Sequence, residues 1–304
     1  MVESLRGGVI GAGVFGGYHA RQYARLDGVV LSAVLDPHPE RAAQVAMPLG
    51  GRAFHHLADF LDAVDVVTVA SPATFHAEHA LAALAAGKPV YVEKPIAAGL
   101  SAAERIRDVA QAKGLVVACG HQERVVFRAM GLLDVPEAPL RLEALRHGPA
   151  SPRSQDVSAV LDLMVHDLDL ALALSPSRPS RGALSASGGW DEAQIAVAFD
   201  DGFQARFDVS RRAPERERTM RVVFPSGEVE IDFVARTFRN TTPFPLNADF
   251  AETPAARDPL GASVESFLLA VRGRGPRPIV TADEAIAALA LALDIEQILG
   301  LQPA

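Results

Sequence analysis

The chain has 304 residues, with 29 basic and 37 acidic side chains, a net charge of −8 and no basic run, which sets aside a nucleic-acid partner. No apolar run approaches the roughly 20 residues that a membrane helix needs. A single cysteine, Cys119, excludes an internal disulfide framework and fits a reducing, cytoplasmic setting. At this length two domains are the prior expectation.

The chain opens on an apolar strand, with no secretory signal ahead of it, and reaches Val9-Ile-Gly-Ala-Gly-Val-Phe-Gly-Gly17. Gly11, Gly13 and Gly16 form G-x-G-x-x-G: the first allows a tight turn, the second admits a pyrophosphate, and the third lets helix and strand pack closely. The helix that follows aims the N–H groups of Val14, Phe15 and Gly16 at that pyrophosphate. A second strand, Val29 to Leu35, ends in Asp36, about 20 residues beyond the last glycine, where an acidic side chain takes the ribose hydroxyls of NAD and repels a 2′-phosphate. The alternative for Asp36 is that it opens a turn or caps the helix over Glu40 to Val45.

Strand and helix patterns then alternate. Arg52 to Phe54 reads as a short strand, Leu57 to Leu61 as a helix, and Asp65 to Ala70 as a strand that is apolar throughout, as a sheet covered on both faces requires. Ser71 and Pro72 stop it. A helix over Ala73 to Ala86 carries His76, and the strand over Pro89 to Val92 ends at Glu93-Lys94-Pro95. Ser101 with Glu104 reads as a capping box for a helix to Lys113, and Leu115 to Cys119 is the sixth strand. This alternation is the signature of a doubly wound parallel sheet over residues 1–121.

From residue 122 the rhythm changes. A helix over Arg124 to Leu133, a strand over Leu140 to Arg146 and a helix over Val157 to Leu174 precede five strand-like runs. Those runs are Gly182 to Ser187, Ala193 to Phe199, Phe203 to Val209, Met220 to Phe224 and Val229 to Phe233, with turns at Asp200-Asp201-Gly202 and Pro225-Ser226-Gly227. Asn240 to Pro259 reads as irregular, and helices over Ala262 to Arg272 and Ala282 to Leu299 close the chain. Residues 122–304 are therefore expected to form an α+β domain with a mostly antiparallel open sheet.

Ligands of a parallel sheet bind beyond the carboxyl ends of its strands. His19, Ser71, Pro72, His76, Glu93 and Lys94 lie at such ends. Lys94 stands out because the only lysines are Lys88, Lys94 and Lys113, and burial can tune a lysine toward neutrality as it cannot tune an arginine. In the later helix Asp162 and His166 are four apart, so a carboxylate there can orient an imidazole as acid or base. Neither Asp167 nor Asp169 shares a face with both, and no metal is expected.

Taken together, the glycine turn with Tyr18-His19, Asp36, Ser71-Pro72 with His76, Glu93-Lys94-Pro95 and Asp162-x-x-x-His166-Asp167 resemble the Gfo/Idh/MocA family of NAD(P)-dependent oxidoreductases. The resemblance implies a Rossmann domain that binds NAD, a second domain whose open sheet mediates homodimers or homotetramers, Lys94 as the lysine of the EKP motif, and Asp162 and His166 as the catalytic pair of the D-x-x-x-H motif. A narrower resemblance, carried by Gly120-His121-Gln122-Glu123-Arg124, by Gly148-Pro149 with Pro152-Arg153 and by Asp156 to Asp167, is to the branch that oxidises UDP-N-acetylglucosamine-type nucleotide sugars at C3 and passes the ketone to an aminotransferase, as in lipid A biosynthesis. It implies substrate contacts from His19, Glu123, Arg124, Arg153 and His166, with Arg124 and Arg153 suited to a diphosphate. Where that branch continues Phe-Asn-Pro, this chain has Val125-Val126-Phe127, which removes a polar contact expected near the sugar. A dehydrogenase of a free polyol or aldose such as inositol, an imine or pyrrole reductase, and an inactive NAD-sensing regulator are the alternative readings.

Overall fold

The computed structural model describes residues 4–150, 156–175, 177 and 179–301. The chain divides into two compact units: residues 1–122 with Asp258–Ile286, and Glu123–Arg257 with residues 287–304.

In the first unit β1 (Leu5–Ile10), α1 (Val14–Arg25), β2 (Val29–Leu35), α2 (Pro39–Ala46), β3 (Arg52–Phe54), α3 (Leu57–Asp62), β4 (Val66–Val69), α4 (His76–Ala85), β5 (Val90–Val92), α5 (Leu100–Lys113) and β6 (Val117–Cys119) follow one another. The six strands are parallel, in the order β3-β2-β1-β4-β5-β6, which is the Rossmann arrangement. The strand order reverses between β1 and β4, so a crevice opens at their carboxyl ends. Val66, Val67 and Val69 on β4, and Val90, Tyr91 and Val92 on β5, are fully buried, as strands covered on both faces must be.

One difference from the sequence reading lies at α5, which starts at Leu100 with Gly99, in extended backbone, as its cap. Ser101 is already helical, so the Ser101–Glu104 pair is not a capping box.

In the second unit α6 (Glu123–Met130), β7 (Arg141–His147), α7 (Val165–Leu174), β8 (Pro179–Gly188), β9 (Glu192–Phe199), β10 (Gln204–Ser210), β11 (Glu217–Phe224), β12 (Gly227–Asp232), β13 (Thr237–Asn240) and α8 (Pro254–Arg257) build a seven-stranded sheet and its helices. Its order is β13-β12-β11-β7-β10-β9-β8, antiparallel except between β7 and β10. The sequence reading missed β13, an edge strand of four residues. It also read one helix over Val157 to Leu174, whereas Val160–Met164 forms a wider turn, with Val165 N–H donating to Val160 O, before α7 begins.

Helix α9 (Pro259–Val271) belongs to the first unit although a single cut at 121/122 assigns it to the second. Its Val264, Phe267 and Leu268 pack with Val9, Tyr23, Val29 and Tyr91, and the Tyr91 hydroxyl is 2.9 Å from Ser263 Oγ. Val280 O accepts from Cys119 N–H at 3.1 Å, which attaches the next segment to the sheet edge. The last helix, α10 (Ala282–Leu299), follows it.

Candidate functional site

The glycine turn is built as close packing demands. Gly11 has φ +99°, and a Cβ there would stand 2.6 Å from Ala70 O; a Cβ on Gly16 would fall on the Gly11 carbonyl oxygen. At Gly13, by contrast, a Cβ would meet nothing within 4 Å, so the backbone at the head of α1 borders open space. Gly13 caps α1 with no side-chain hydrogen bond. The N–H groups of Val14, Phe15 and Gly16 in the first turn therefore have no intrahelical partners, and the helix dipole favours an anion there.

Asp36 ends β2 beside this turn and is 8% exposed. Its Oδ2 accepts from Ala12 N–H at 2.9 Å and its Oδ1 from His38 N–H at 3.0 Å. Burial pushes the carboxyl up, but the Ala12 and His38 amides and the His38 ring outweigh it and hold Asp36 below the usual carboxylate range. It is an anion at neutral pH, anchored to the turn. Helix α2 is capped by His38, so Asp36 opens a turn but does not cap the helix. These residues fit NAD: an open backbone cradle for the pyrophosphate and a fixed carboxylate for the ribose.

At the ends of β4 and β5 the polar side chains lock two loops together. His76, 2% exposed, places Nδ1 2.7 Å from Pro95 O and Nε2 2.8 Å from Ser71 O. Ser71 Oγ in turn lies 2.9 Å from His79 Nδ1. Glu93 is buried; its Oε1 is 2.7 Å from His19 Nε2 and accepts from Gln122 Nε2 at 3.1 Å. Burial raises the Glu93 carboxyl, and the His19 hydrogen bond with the charges of His19, Lys94 and His76 lowers it by more. Glu93 is thus a buried anion behind Lys94, which is half-buried on the same turn, where the Lys94–Pro95 bond is cis.

This corrects the reading of His19. It is fully buried against Glu93, so it supports the Lys94 turn and offers no surface to a substrate.

The second unit presents a different construction. His166, at the start of α7, places Nδ1 2.8 Å from Glu123 Oε2, and the His166 side chain is 11% exposed. Glu123 Oε1 accepts from Arg146 at 2.9 Å, and Arg146 also donates to both oxygens of Asp167 at 2.9 and 2.8 Å. Burial raises the Glu123 carboxyl, but the charges of His166 and Arg146 hold it well below the usual range. The fixed carboxylate therefore stands as an anion against the imidazole ring.

The carboxylate nearest the imidazole Nδ1 is therefore Glu123, an ion-pair contact without good hydrogen-bond geometry, which the sequence reading had placed against the substrate. Asp162, expected in that role, lies with Oδ2 3.8 Å from Arg211. Arg211 is itself pinned by Val157 O at 3.1 Å and Asp191 at 3.0 Å.

Arg124 is also corrected. It is 4% exposed and donates to Asp169 through Nε at 3.0 Å and through a terminal nitrogen at 2.6 Å. That bidentate pair commits Nε and one terminal nitrogen of the guanidinium to a buried partner within the protein. Val125 and Phe127, at the departure from the nucleotide-sugar branch, are buried. Arg153 lies outside the described residues.

Gly11, Gly13, Val14, Phe15, Gly16, Asp36, Ser71, Pro72, Glu93 and Lys94 thus gather at the carboxyl ends of neighbouring strands in the first unit, with His76 beneath them. His166, Glu123 and Asp162 belong to the second unit. Sequence reasoning missed Arg146 and Arg211, which carry no motif signal: each is an ordinary arginine near a strand end. Asp167 was visible only as part of the D-x-x-x-H-D string.

A family profile described as "Oxidoreductase family, NAD-binding Rossmann fold" matches residues 5–121. UDP-N-acetylglucosamine 3-dehydrogenase of Acidithiobacillus ferrooxidans is 35% identical over 288 residues, covering 90% of each chain. A crystal structure of that enzyme superposes with a TM-score of 0.88 at 32% identity, over 97% of this chain and 98% of the other. Inositol 2-dehydrogenase of Corynebacterium glutamicum is 29% identical over 256 residues, 75% of this chain and 76% of its own. The WlbA dehydrogenase of Bordetella pertussis, solved with NADH and UDP-GlcNAcA, shares the fold with a TM-score of 0.86 at 18% identity, over 97% and 95% of the two chains.

Proposed function

Because the chain belongs to the Gfo/Idh/MocA family of NAD-binding oxidoreductases, we propose that it oxidises a nucleotide-linked N-acetylhexosamine at C3, with UDP-N-acetylglucosamine as the first candidate. The observation that carries this choice is the end-to-end similarity to the A. ferrooxidans enzyme, over 90% of both chains.

Bound NAD supplies the hydride acceptor. Gly11, Gly13 and Gly16 with the first turn of α1 hold its pyrophosphate, and Asp36 its adenosine ribose. His166 takes the proton of the C3 hydroxyl at Nε2, while the Glu123 carboxylate lies against Nδ1 and holds the ring in place. Lys94, on the turn after β5, is a cation able to donate a hydrogen bond to an alcohol or ketone oxygen and to favour charge that develops on it. Glu93, His19 and His76 hold the Lys94 turn, Ser71 and Pro72 shape the end of β4, and Asp162, beside Arg211, supports the helix entry ahead of His166. The presence of Lys94, Asp162 and His166 together supports catalysis over a purely regulatory role, which needs only the cofactor half.

The 3-keto product is a substrate for a glutamate-dependent aminotransferase, a step toward amino-sugar lipid A or related surface sugars in the cytoplasm. The open face of the second sheet, a broad depression of about 1070 Å³ edged by Glu143, Arg206, Arg221, Glu230 and Arg239, supports assembly into a homodimer or homotetramer. A second reading, oxidation of a free polyol, is favoured by the similarity to inositol 2-dehydrogenase.

The test is NAD reduction with a panel of UDP-N-acetylglucosamine, its uronic acid, free N-acetylglucosamine, myo-inositol and glucose, with an aminotransferase and glutamate added to remove ketone. Turnover confined to the nucleotide sugars supports the proposal. Turnover confined to inositol or free sugars replaces it with the second reading.

A further inference from the structure

Strands β7 and β11 pair in antiparallel register, with Arg146 directly opposite Arg218. Side chains alternate along a strand. Met220, Val222 and Phe224 on β11 and Leu142, Ala144 and Arg146 on β7 are buried, so Arg218 points to the face that carries Arg146. Two guanidinium groups directly opposite each other repel.

Arg146 is compensated by Asp167 and Glu123, and the second oxygen of Glu123 is held by His166. Arg218 is placed differently. Its Nε is buried without a hydrogen-bond partner among the described residues. Arg146, Glu123, Arg216 and Asp167 are the charged groups that act on it most, and both of those carboxylates already bond Arg146. Burial first, and then the Arg146 charge, push Arg218 below the usual arginine range. Since arginine stays protonated in proteins, Arg146 and Arg218 set two facing positive charges next to the carboxylate that lies against His166.

We propose that Arg218 binds an oxyanion of the substrate, a phosphate or a carboxylate, beside the Glu123–His166 pair. A guanidinium fork takes either group through two parallel N–H···O bonds. The anion completes the buried N–H and balances the facing arginines. Arg218 thereby takes the part for which Arg124, paired with Asp169, is not available. The assignment rests on the reading of His166 as part of the substrate site, and it deepens that reading by requiring an anionic substrate. A neutral polyol has nothing to offer Arg218.

The experiment is calorimetric titration of the NAD-loaded protein with UDP and, separately, with glucuronate, for the wild type, Arg218→Ala, Arg218→Gln and Arg218→Lys. The wild type is expected to bind one of the two. Arg218→Ala and Arg218→Gln weaken that binding at least tenfold, Arg218→Lys weakens it less, and NAD affinity stays within twofold throughout. Loss of UDP binding assigns the oxyanion to a diphosphate, and loss of glucuronate binding assigns it to a sugar carboxylate. Should Arg218→Ala fail to fold, Arg218→Gln keeps a polar, hydrogen-bonding side chain, shorter and without the charge, and decides the question. Wild-type protein that binds neither probe, or equal affinity in the wild type and Arg218→Gln, overturns the proposal. The turnover panel is read separately: activity on inositol with UDP binding still dependent on Arg218 would refute the nucleotide-sugar reaction and leave the oxyanion site standing.

Discussion

The two units present function in opposite ways. In the first, the cofactor cradle is made of backbone: Gly11 and Gly16 exist to remove side chains, Gly13 to leave space open, and α1 to offer N–H groups. In the second, the proposed site is made of charges brought from α6, β7 and α7 that hold one another, Glu123 by Arg146, Arg146 by Asp167 and His166 by Glu123, with Arg218 of β11 facing Arg146 and its Nε unpartnered among the described residues. A backbone cradle tolerates changes in the surrounding side chains. A charge cluster does not, because removing one member strands the others in a poorly solvated place.

That contrast is broken most readily at Lys94 and His166, the two groups proposed to act on the substrate. Lys94→Ala and His166→Ala are each expected to lower kcat by about 10²–10⁴-fold, the range of a positioned acid–base group, with NAD affinity unchanged in a fluorescence titration. A parallel loss of NAD binding would mean that the two functions are not separable by unit.

Next in size is Arg124→Ala, which leaves Asp169 buried and unpaired. It should cost about 3–5 kcal/mol of stability by denaturant unfolding while the kcat of the folded fraction stays near wild type. A selective rise in KM instead would restore Arg124 to the substrate site.

Asp36→Ala removes charged hydrogen-bond acceptance worth about 1.5–3 kcal/mol and should weaken NAD by roughly that amount while relaxing the bias against NADP. Unchanged preference would return Asp36 to a turn-forming role alone.

The charge cluster also has an acid signature. Glu123 is depressed in the folded chain, so the stability it contributes is fully present above the unfolded glutamate value of about 4.3 and is lost as pH falls through the lower folded value. Glu123→Gln should flatten the pH dependence of unfolding in that acidic window, and an identical slope in both proteins would deny the linkage. The smallest effect belongs to Tyr91→Phe, which removes the buried bond to Ser263 and should cost about 1 kcal/mol without touching kcat.

The same contrast explains what the sequence made legible. The Rossmann sheet, the glycine turn, Asp36 and the Lys94 turn are local in sequence: each is a strand, its end and the next few residues, and the β1 to β6 elements were read close to their observed bounds. The second unit's sheet was read as strands, but its site was read from spacing and from motif resemblance, neither of which shows which side chains meet. Asp162 and His166 at four residues suggested a pair, yet the carboxylate that reaches His166 Nδ1 comes from Glu123, 43 positions earlier, and nothing local announces such a partner. Arg124 looked like a phosphate ligand because arginine suits phosphate, while its buried partner Asp169 lies 45 residues away. Helix α9 was assigned to the nearer unit in sequence because an apolar helix face does not state which core it enters.

The central claim, oxidation of a nucleotide-linked sugar at C3, is tested most directly with UDP-N-acetylglucosamine carrying deuterium at C3, incubated with the protein and NAD and analysed by mass spectrometry. The account predicts that the deuterium appears in the reduced cofactor, with transfer abolished in His166→Ala. Reduced cofactor without deuterium, or no reduced cofactor in the presence of an active aminotransferase trap, would contradict it.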